Sequence, residues 1–213
     1  ATTHQGALKA WAFTTPGATT ARAVAGRKTP ILGVNLGKLG FLAEVATEEI
    51  DSALDDVLAG RTTVEQRLML DAVTPSLPGR VFHAVNDVVI DNSGHPRLID
   101  LATSIDGSFA VTYRADGLII STPTGSTAYA LASGGPILPP ELRNILLIPI
   151  APHLSVDRAV VLSEGSTVSM TVLSENCVLS IDGQIPIGLA EDDRVDVHAG
   201  ENTVKFVRFG DPG

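Results

Sequence analysis

Short apolar segments separated by turn residues follow one another from about residue 64 to about residue 208. The clearest pair spans residues 98–105 and 109–113, which flank Asp106-Gly107 and alternate apolar with polar side chains. Such alternation around an Asp-Gly pair predicts a β-hairpin, and many short strands at even spacing favour a sandwich of sheets. The other predicted strands are residues 64–73, 82–90, 146–150, 159–162, 167–173, 177–181, 194–199 and 203–208.

The first 63 residues have a different pattern, which indicates part of an α/β layer. Residues 30–35 (PILGVN) predict a buried strand. Thr47 is expected to cap a helix over residues 48–59, which Gly60 ends, and Thr20 to cap a shorter helix that ends at Gly26. We therefore predict an N-terminal α/β lobe over 1–63 and a β-rich C-terminal domain over 64–213, whose last strands return toward the lobe.

Charge and cysteine content narrow the classes of partner. The chain has 15 basic and 24 acidic side chains and a formal net charge of −9, which argues against a nucleic-acid binder. No apolar run approaches the roughly 20 residues of a membrane span, so no membrane partner is expected. The single cysteine, Cys177, excludes an intramolecular disulfide, and no zinc-binding spacing appears among the five histidines. A cytoplasmic protein is the expectation, because no secretory pattern is present and lone cysteines suit a reducing compartment.

Residues 116–136 (DGLIISTPTGSTAYALASGGP) contain the densest group of potential ligand-binding side chains. Hydroxyl residues surround Gly125, where the missing Cβ lets a ligand approach the backbone closely. Ser126 or Thr127 can cap a short helix whose first N–H groups bind anions, and Tyr129 can lie against a ring. The alternative is a well-capped strand-to-helix turn with Tyr129 in the core, and the residues alone favour this plainer interpretation.

Asn86 and Asp87 interrupt an apolar strand pattern between Val85 and Val88. Asn and Asp disfavour strands, and positions that break a local rule are candidates for function. A buried aspartate needs partners or a shifted pKa. The structural alternative is a β-bulge or an edge position. Asp182-Gly183, between VLSI and QIPI, predicts another hairpin turn.

Taken together, these motifs resemble the NAD kinase family. STPTGSTAY at 121–129, followed by Gly-Gly-Pro at 134–136, is similar to the most specific stretch of that family. Four supporting matches occur in family order and extend the resemblance over roughly residues 30–210. They are GVNLGKLGFL (33–42), Asn-Asp (86–87), PHLSVDR (152–158) and SIDGQ (180–184).

The resemblance implies the two-domain NAD kinase architecture and transfer of a phosphoryl group to the 2′-hydroxyl of the adenosine ribose of NAD, giving NADP. The implied donor is ATP, or inorganic polyphosphate as in some members, with Mg²⁺ or another divalent metal sharing the phosphate charge. It also implies a homodimer or homotetramer with binding sites near subunit contacts.

The resemblance implies three groups of NAD-binding residues. The first holds the adenosine part, and Phe41 forms a wall of its pocket; the second meets the nicotinamide end, where a neighbouring subunit can contribute; the third lies close by. The first group is Phe41, Asn86, Asp87, Thr124, Ser126, Thr127 and Tyr129. The second group is Asp116 and Ala128, and the third is Arg114, Asp182 and Gln184.

Three departures from the family pattern affect these expectations. The Gly-Gly-Asp-Gly loop, whose Asp is the expected base, is absent, so no catalytic residue is assigned. We expect that the sequence omits a loop of the natural chain, with a junction within residues 13–21. Asp87 stands where the family more often has Glu, and Ala132-Ser133 inverts the family's usual Ser-Ala order.

Three alternatives to an NAD kinase stay open at this point. If the chain truly lacks the loop, it should bind NAD without phosphorylating it, as a catalytically silent module. A lipid or diacylglycerol kinase is the enzymatic alternative, and a β-sandwich interaction domain is the third.

Overall fold

The computed structural model describes residues 17–24, 27, 29–35, 43–92, 94, 97–153 and 157–210. Within them, two six-stranded antiparallel sheets pack face to face, with short helices and a small parallel strand pair beside them. In chain order the elements are α1 (Gly17–Ala23), β1 (Val34–Asn35), β2 (Val45–Ala46), a 3-10 turn (Thr47–Glu49), α2 (Ile50–Leu58), β3 (Thr63–Val73), β4 (Phe82–Ala84), β5 (Asp87–Asp91), β6 (Ile99–Ile105), β7 (Ser108–Ala115), β8 (Gly117–Ser121), a second 3-10 turn (Thr124–Thr127), α3 (Tyr129–Ala132), β9 (Ile145–Ile150), β10 (Val160–Leu162), β11 (Thr167–Val172), β12 (Cys177–Ile181), β13 (Gln184–Leu189) and β14 (Arg194–Arg208).

The two sheets share one apolar core. The first sheet has the order β4-β3-β14-β11-β6-β7, and the second has the order β10-β9-β8-β5-β12-β13. Strands with one solvated face, such as β11 and β12, alternate buried and half-buried residues, as antiparallel sheets with one packed face do. Strands β5, β8 and β9 are instead buried almost throughout. Their outer face carries a second apolar cluster, in which Ala130 of α3 packs on Val89, Ile119 and Ile148.

The predicted strand over 82–90 is wrong as a single element. It forms β4, at the edge of the first sheet beside β3, and β5, in the interior of the second sheet between β8 and β12. The chain crosses from one sheet to the other at Val85-Asn86. The Asn-Asp interruption is therefore neither a bulge nor an edge position, because it marks this crossing between sheets.

The predicted strands over 194–199 and 203–208 are one strand, β14. It pairs with β3 along most of its length, and the register shifts between Ala199 and Thr203. A β-bulge tolerates such an extra stretch without ending the strand. The hairpins β6–β7 and β12–β13 form as predicted.

The N-terminal elements differ from the prediction in their bounds. Helix α1 begins at Gly17, and Thr20 lies inside it, where its carbonyl accepts a hydrogen bond from the Val24 amide. Only Val34–Asn35 of the predicted strand over 30–35 forms a strand, and it is half-buried. Before α2, the side chain that binds a free backbone N–H group is that of Glu49 rather than that of Thr47. The Glu49 carboxylate accepts the Ala46 amide at 3.0 Å.

The last strand contacts the N-terminal elements. Ile31 exchanges two backbone hydrogen bonds of 2.8 Å with Lys205 and Val207 of β14. Arg208 forms ion pairs with Glu44 and Glu65. The division at residue 63 stays a prediction. No helix among the described residues is long and apolar enough to cross a membrane.

Candidate functional site

Asp182 holds the backbone of the sheet crossing through its side chain. It occupies the β12–β13 turn with φ of +50°, and its side chain is fully buried. Its carboxylate accepts the backbone N–H groups of three successive residues, Val85 (3.2 Å), Asn86 (2.7 Å) and Asp87 (3.1 Å). Buried backbone donors need partners, and a strand that changes sheet loses its ladder partners. Asp182 replaces those lost partners.

The hydroxyl-rich loop after β8 binds the carbonyl groups of the same crossing. Ser121 and Thr122 donate to the carbonyls of Asn86 and Val85, at 3.0 and 2.5 Å, and the Thr122 amide donates to the Asn86 carbonyl at 2.9 Å. Gly125 is pressed against this backbone: a Cβ there would lie 2.1 Å from the Asn86 oxygen. The glycine is required because the two chain segments touch.

The predicted helix caps are absent from this loop. Ser126 donates to the Pro123 carbonyl at 2.6 Å and accepts the Leu138 amide at 3.0 Å, while Thr127 donates to the Thr124 carbonyl at 3.3 Å. Neither hydroxyl caps α3, which has only four residues. A helix of about one turn also gives no support to the expected anion site at a helix N-terminus. The hydroxyls hold the loop closed upon itself.

A cavity of about 410 Å³ opens above the crossing. It is lined by Asn86, Asp87, Val89, Asp91, Ala128, Tyr129, Ser180, Asp182 and Gly183. A larger cavity of about 580 Å³ lies elsewhere, around residues 97–99 and 174–176. We take the smaller one as the candidate site, because it contains the side chains that the sequence singled out and a strongly perturbed carboxyl group.

Asp87 is that perturbed group. The residue is only 4% exposed, and among the described residues its carboxylate has no hydrogen-bond partner. Burial raises the pKa of Asp87 from 3.8 to about 7, and the nearby charge of Asp182 adds to the shift. An acceptor-only carboxylate without partners suits a ligand that brings hydroxyl donors.

Tyr129 faces this acidic group from α3. The residue is 44% exposed, so the interpretation that placed Tyr129 in the core is wrong. Burial raises the pKa of Tyr129, and the carboxylates of Asp91, Asp116 and Asp87 raise it further. The phenol therefore stays protonated and presents both a ring face and an O–H group to the cavity.

The structure brings together only some of the residues that the sequence predicted for the site. Asn86, Asp87, Ala128, Tyr129 and Asp182 line the cavity.

Other predicted residues lie around it without lining it. Thr124, Ser126 and Thr127 form the loop beneath, and the buried Thr124 hydroxyl is without a hydrogen-bond partner among the described residues. Asp116 lies between β7 and β8, and Arg114 lies near the end of β7, where its carbonyl accepts the His153 amide at 2.8 Å. Phe41, most of the glycine loop over 33–42 and the start of the junction segment over 13–21 lie outside the described residues.

Sequence reasoning missed two residues of this region. Asp91 lies four residues after Asp87 on β5 and also faces the cavity, a position that the period-two spacing could have indicated. Arg22 of α1 contacts Asp182 and Gln184. No local signal identifies Arg22, because its partners are about 160 positions away.

Comparison with known families agrees with this geometry. The model of the ATP-NAD kinase C-terminal domain matches residues 85–209, and that of the N-terminal domain matches residues 18–62. The chain belongs to the NAD kinase family. It is 40% identical over 192 residues to an NAD kinase of Syntrophotalea carbinolica and 43% identical over 194 residues to one of Koribacter versatilis. The alignments cover 88% and 89% of this chain, and 67% and 68% of those relatives.

Two solved structures extend the similarity to the fold. Yeast NADH kinase complexed with NADH superposes with a TM-score of 0.84 at 30% identity, covering 91% of this chain and 58% of the yeast chain. An NAD kinase from Archaeoglobus fulgidus in complex with ATP gives 0.71 at 28% identity, covering 84% and 68%. The chain thus spans roughly three fifths to two thirds of its relatives. The predicted family and fold class are confirmed, and the relatives' names agree with NAD phosphorylation rather than with a lipid kinase.

Proposed function

We propose that the protein transfers a phosphoryl group from ATP to the 2′-hydroxyl of the adenosine ribose of NAD, and that this chain contributes the NAD-binding part. The cavity above the sheet crossing is the observation that carries the proposal. It combines a buried carboxylate, an amide and an exposed tyrosine ring at one point. These are the groups that a nucleoside needs for its hydroxyls, its base edge and its base face.

Each cavity residue has a distinct role in this proposal. Ionised Asp87 accepts hydrogen bonds from ribose hydroxyls, and the Asn86 amide pairs with an adenine edge, because an amide both donates and accepts. The Tyr129 ring lies against the base.

The donor and the metal are supported to different degrees. ATP is the donor we propose, since the archaeal relative is described in complex with ATP. Polyphosphate stays an alternative. The described residues contain no group of three or more His, Cys, Asp or Glu side chains that could hold a metal ion. We therefore assign no residue to Mg²⁺ and derive no step through it.

The remaining proposals concern organisation. We propose the N-terminal lobe over 1–63 and the NAD-binding domain over 64–213, in agreement with the two family matches. A homodimer or homotetramer is supported by Leu131 and Ile137, apolar side chains that are 41% and 64% exposed, and Leu131 belongs to the same short helix as Tyr129. The buried, unpaired thiol of Cys177 suits the cytoplasm that we propose.

A direct assay tests the function. The protein is incubated with NAD, ATP and Mg²⁺, and NADP is measured with an NADP-specific dehydrogenase, while calorimetry measures NAD binding separately. We expect both NADP formation and binding. Binding without NADP formation would instead support the silent dinucleotide-binding module, which the missing Gly-Gly-Asp-Gly loop favours. Phosphorylation of diacylglycerol but not NAD, or no binding of NAD, would overturn the proposal.

A further inference from the structure

We propose that Arg22 is a positioning residue of the NAD site, which acts through Asp182 on the backbone that presents Asn86 and Asp87. The inference rests on the proposed function, because it concerns the same cavity. It adds a residue from a different part of the chain, which itself does not line the cavity.

Arg22 holds the β12–β13 turn with both arms of its guanidinium. Nη1 donates to Asp182 Oδ2, and Nη2 donates to Gln184 Oε1 at 2.7 Å. Thr19, one helical turn earlier, donates to the same Gln184 oxygen at 3.0 Å. The side chains of Arg22 and Asp182 are 13% and 0% exposed, so this pair is shielded from water. A guanidinium fork that meets two acceptors fixes direction as well as charge.

Asp182 passes this constraint to the cavity. Its carboxylate accepts the amides of Val85, Asn86 and Asp87, and its own amide donates to the Asp87 carbonyl at 2.9 Å. A fully buried carboxylate is stable in its ionised form only with a compensating charge. Without Arg22, Asp182 loses its cationic partner and the contact that fixes its direction, so its side chain can turn toward water. This change weakens the three amide contacts and releases Asn86 and Asp87 from their positions.

The contact also joins the two parts of the fold. Arg22 lies in the region matched by the N-terminal domain model, whereas Asp182 and Asn86 lie in the region matched by the C-terminal model. Ala21, the neighbour of Arg22, is fully buried against Val85, Met69 and Phe206. Helix α1 is therefore fixed at the back of the crossing, and Arg22 sets the shape of the NAD site from there.

The experiment compares Arg22→Met and Arg22→Lys with Arg143→Met. Arg143 also forms an ion pair, with Glu164, but at an exposed position away from the cavity. For each protein, calorimetry gives the Kd for NAD, and NMR hydrogen exchange without NAD gives the protection of the Val85, Asn86 and Asp87 amides. We expect Arg22→Met to raise the Kd about ten-fold or more and to speed exchange at these amides by a similar factor.

The other variants should give graded effects. Lysine keeps the charge but lacks the planar guanidinium fork that meets Asp182 and Gln184, so Arg22→Lys should raise the Kd only about two- to five-fold. Arg143→Met should leave both measurements unchanged. The double variant Arg22→Met/Asp182→Asn is compared with the two single variants. Its fold increase in Kd should be well below the product of the two single fold increases, because both substitutions break the same contact.

Several results would overturn the role of Arg22. They are an unchanged Kd and unchanged amide exchange in Arg22→Met, or fully multiplicative effects in the double variant. If Arg22→Met does not fold, Arg22→Lys decides, and wild-type values there would also overturn the role. A wild-type protein that fails to bind NAD overturns the proposed function instead. The amide exchange still reports separately on Arg22, since it is measured without nucleotide.

Discussion

Asp87 shows how one carboxyl group can oppose stability and serve binding. It is buried in the interior of the second sheet, its carboxylate has no hydrogen-bond partner among the described residues, and its pKa is raised to about 7. A group whose pKa is higher in the folded state than in the unfolded state destabilises the fold once the unfolded form ionises. The destabilisation grows from about pH 4 and levels off above pH 7.

Replacement of this carboxyl group by an amide should therefore stabilise the protein at alkaline pH. Asn cannot ionise, so Asp87→Asn should gain about 2–3 kcal/mol in the free energy of unfolding, relative to wild type, between pH 5 and pH 8. Urea unfolding at the two pH values measures the difference. The matched control is Asp192→Asn, at an exposed turn residue with φ of +69°, a conformation that Asn also adopts. Equal pH dependence in Asp87→Asn and wild type would show that Asp87 ionises normally.

The same group should make NAD binding depend on pH. Only the ionised carboxylate accepts two hydroxyl donors, and at pH 6 about a tenth of a group with a pKa near 7 is ionised. We expect the Kd for NAD to fall about ten-fold as the pH rises from 6 to 8. Calorimetry across this range tests the expectation, and the weaker binding of Asp87→Asn should be flat over the same range. A flat profile in wild type would contradict the proposed role of Asp87.

At the scale of elements, the close approach of the loop after β8 to the β4–β5 crossing sets the cavity floor. A Cβ on Gly125 would meet the Asn86 carbonyl carbon at 2.5 Å and Ser121 Oγ at 2.6 Å. Because the contact is with backbone, no rotamer change relieves it. We expect Gly125→Ala to destabilise the fold by about 2–4 kcal/mol and to abolish NAD binding, as measured by urea unfolding and calorimetry.

Gly165 offers the matched comparison for this substitution. It lies in the turn between β10 and β11, and a Cβ there meets nothing within 4 Å. Gly165→Ala should change stability by less than about 0.5 kcal/mol and leave NAD binding intact. Two alanine variants with equal stability would mean that the crossing and the loop can separate without cost.

The elements also show what a sequence can and cannot predict. Hairpins such as β6–β7 were predictable, because alternation and Asp-Gly turns are local. The break after β4 was not predictable, because apolar residues continue on both sides of Asn86. Asp182, which replaces the hydrogen-bond partners that the strand loses there, lies 96 positions away. Local rules also predicted the wrong role for Ser126, since its hydroxyl donates to the Pro123 carbonyl rather than capping a helix.

For the candidate site, the motifs identified Asn86, Asp87 and Tyr129 but not the interactions that support them. Asn86, Asp87 and Tyr129 do line one cavity. Residue patterns could not separate ligand-facing positions from structural ones. The family resemblance placed Asp182 close to the ligand, whereas in the structure its buried carboxylate accepts the backbone amides of the crossing. Arg22 required the packing of α1 against the sheet, which no spacing in the sequence encodes.

At the scale of the whole molecule, the far end of β14 connects the N-terminal elements to the sandwich. Arg208, 17% exposed, contacts both Glu44 and Glu65. We expect Arg208→Met to lower the free energy of unfolding by about 1–2 kcal/mol, because a partly buried ion pair loses its cation. Amide exchange should accelerate around Ile31 and Val45 but not in β11.

Arg194 provides the control on the same strand. It pairs with Asp196 and is 55% exposed, so Arg194→Met should cost less than about 0.5 kcal/mol. It should also leave exchange around Ile31 unchanged. Equal effects of the two substitutions would mean that the position of Arg208, where β14 meets the N-terminal elements, adds nothing to the stability that its ion pairs provide.

The bridge between Ile31 and β14 has a consequence for biosynthesis. Ribosomes make a chain from its amino end, so helix α1 and the segment around Ile31 emerge long before Lys205 and Val207, on which Ile31 depends for its backbone partners. Asp182, the anchor of Arg22, also emerges late. The segment around Ile31 must therefore wait for these partners until almost all of the described strands have been translated, and chaperones that shield nascent apolar segments can act on it during that time.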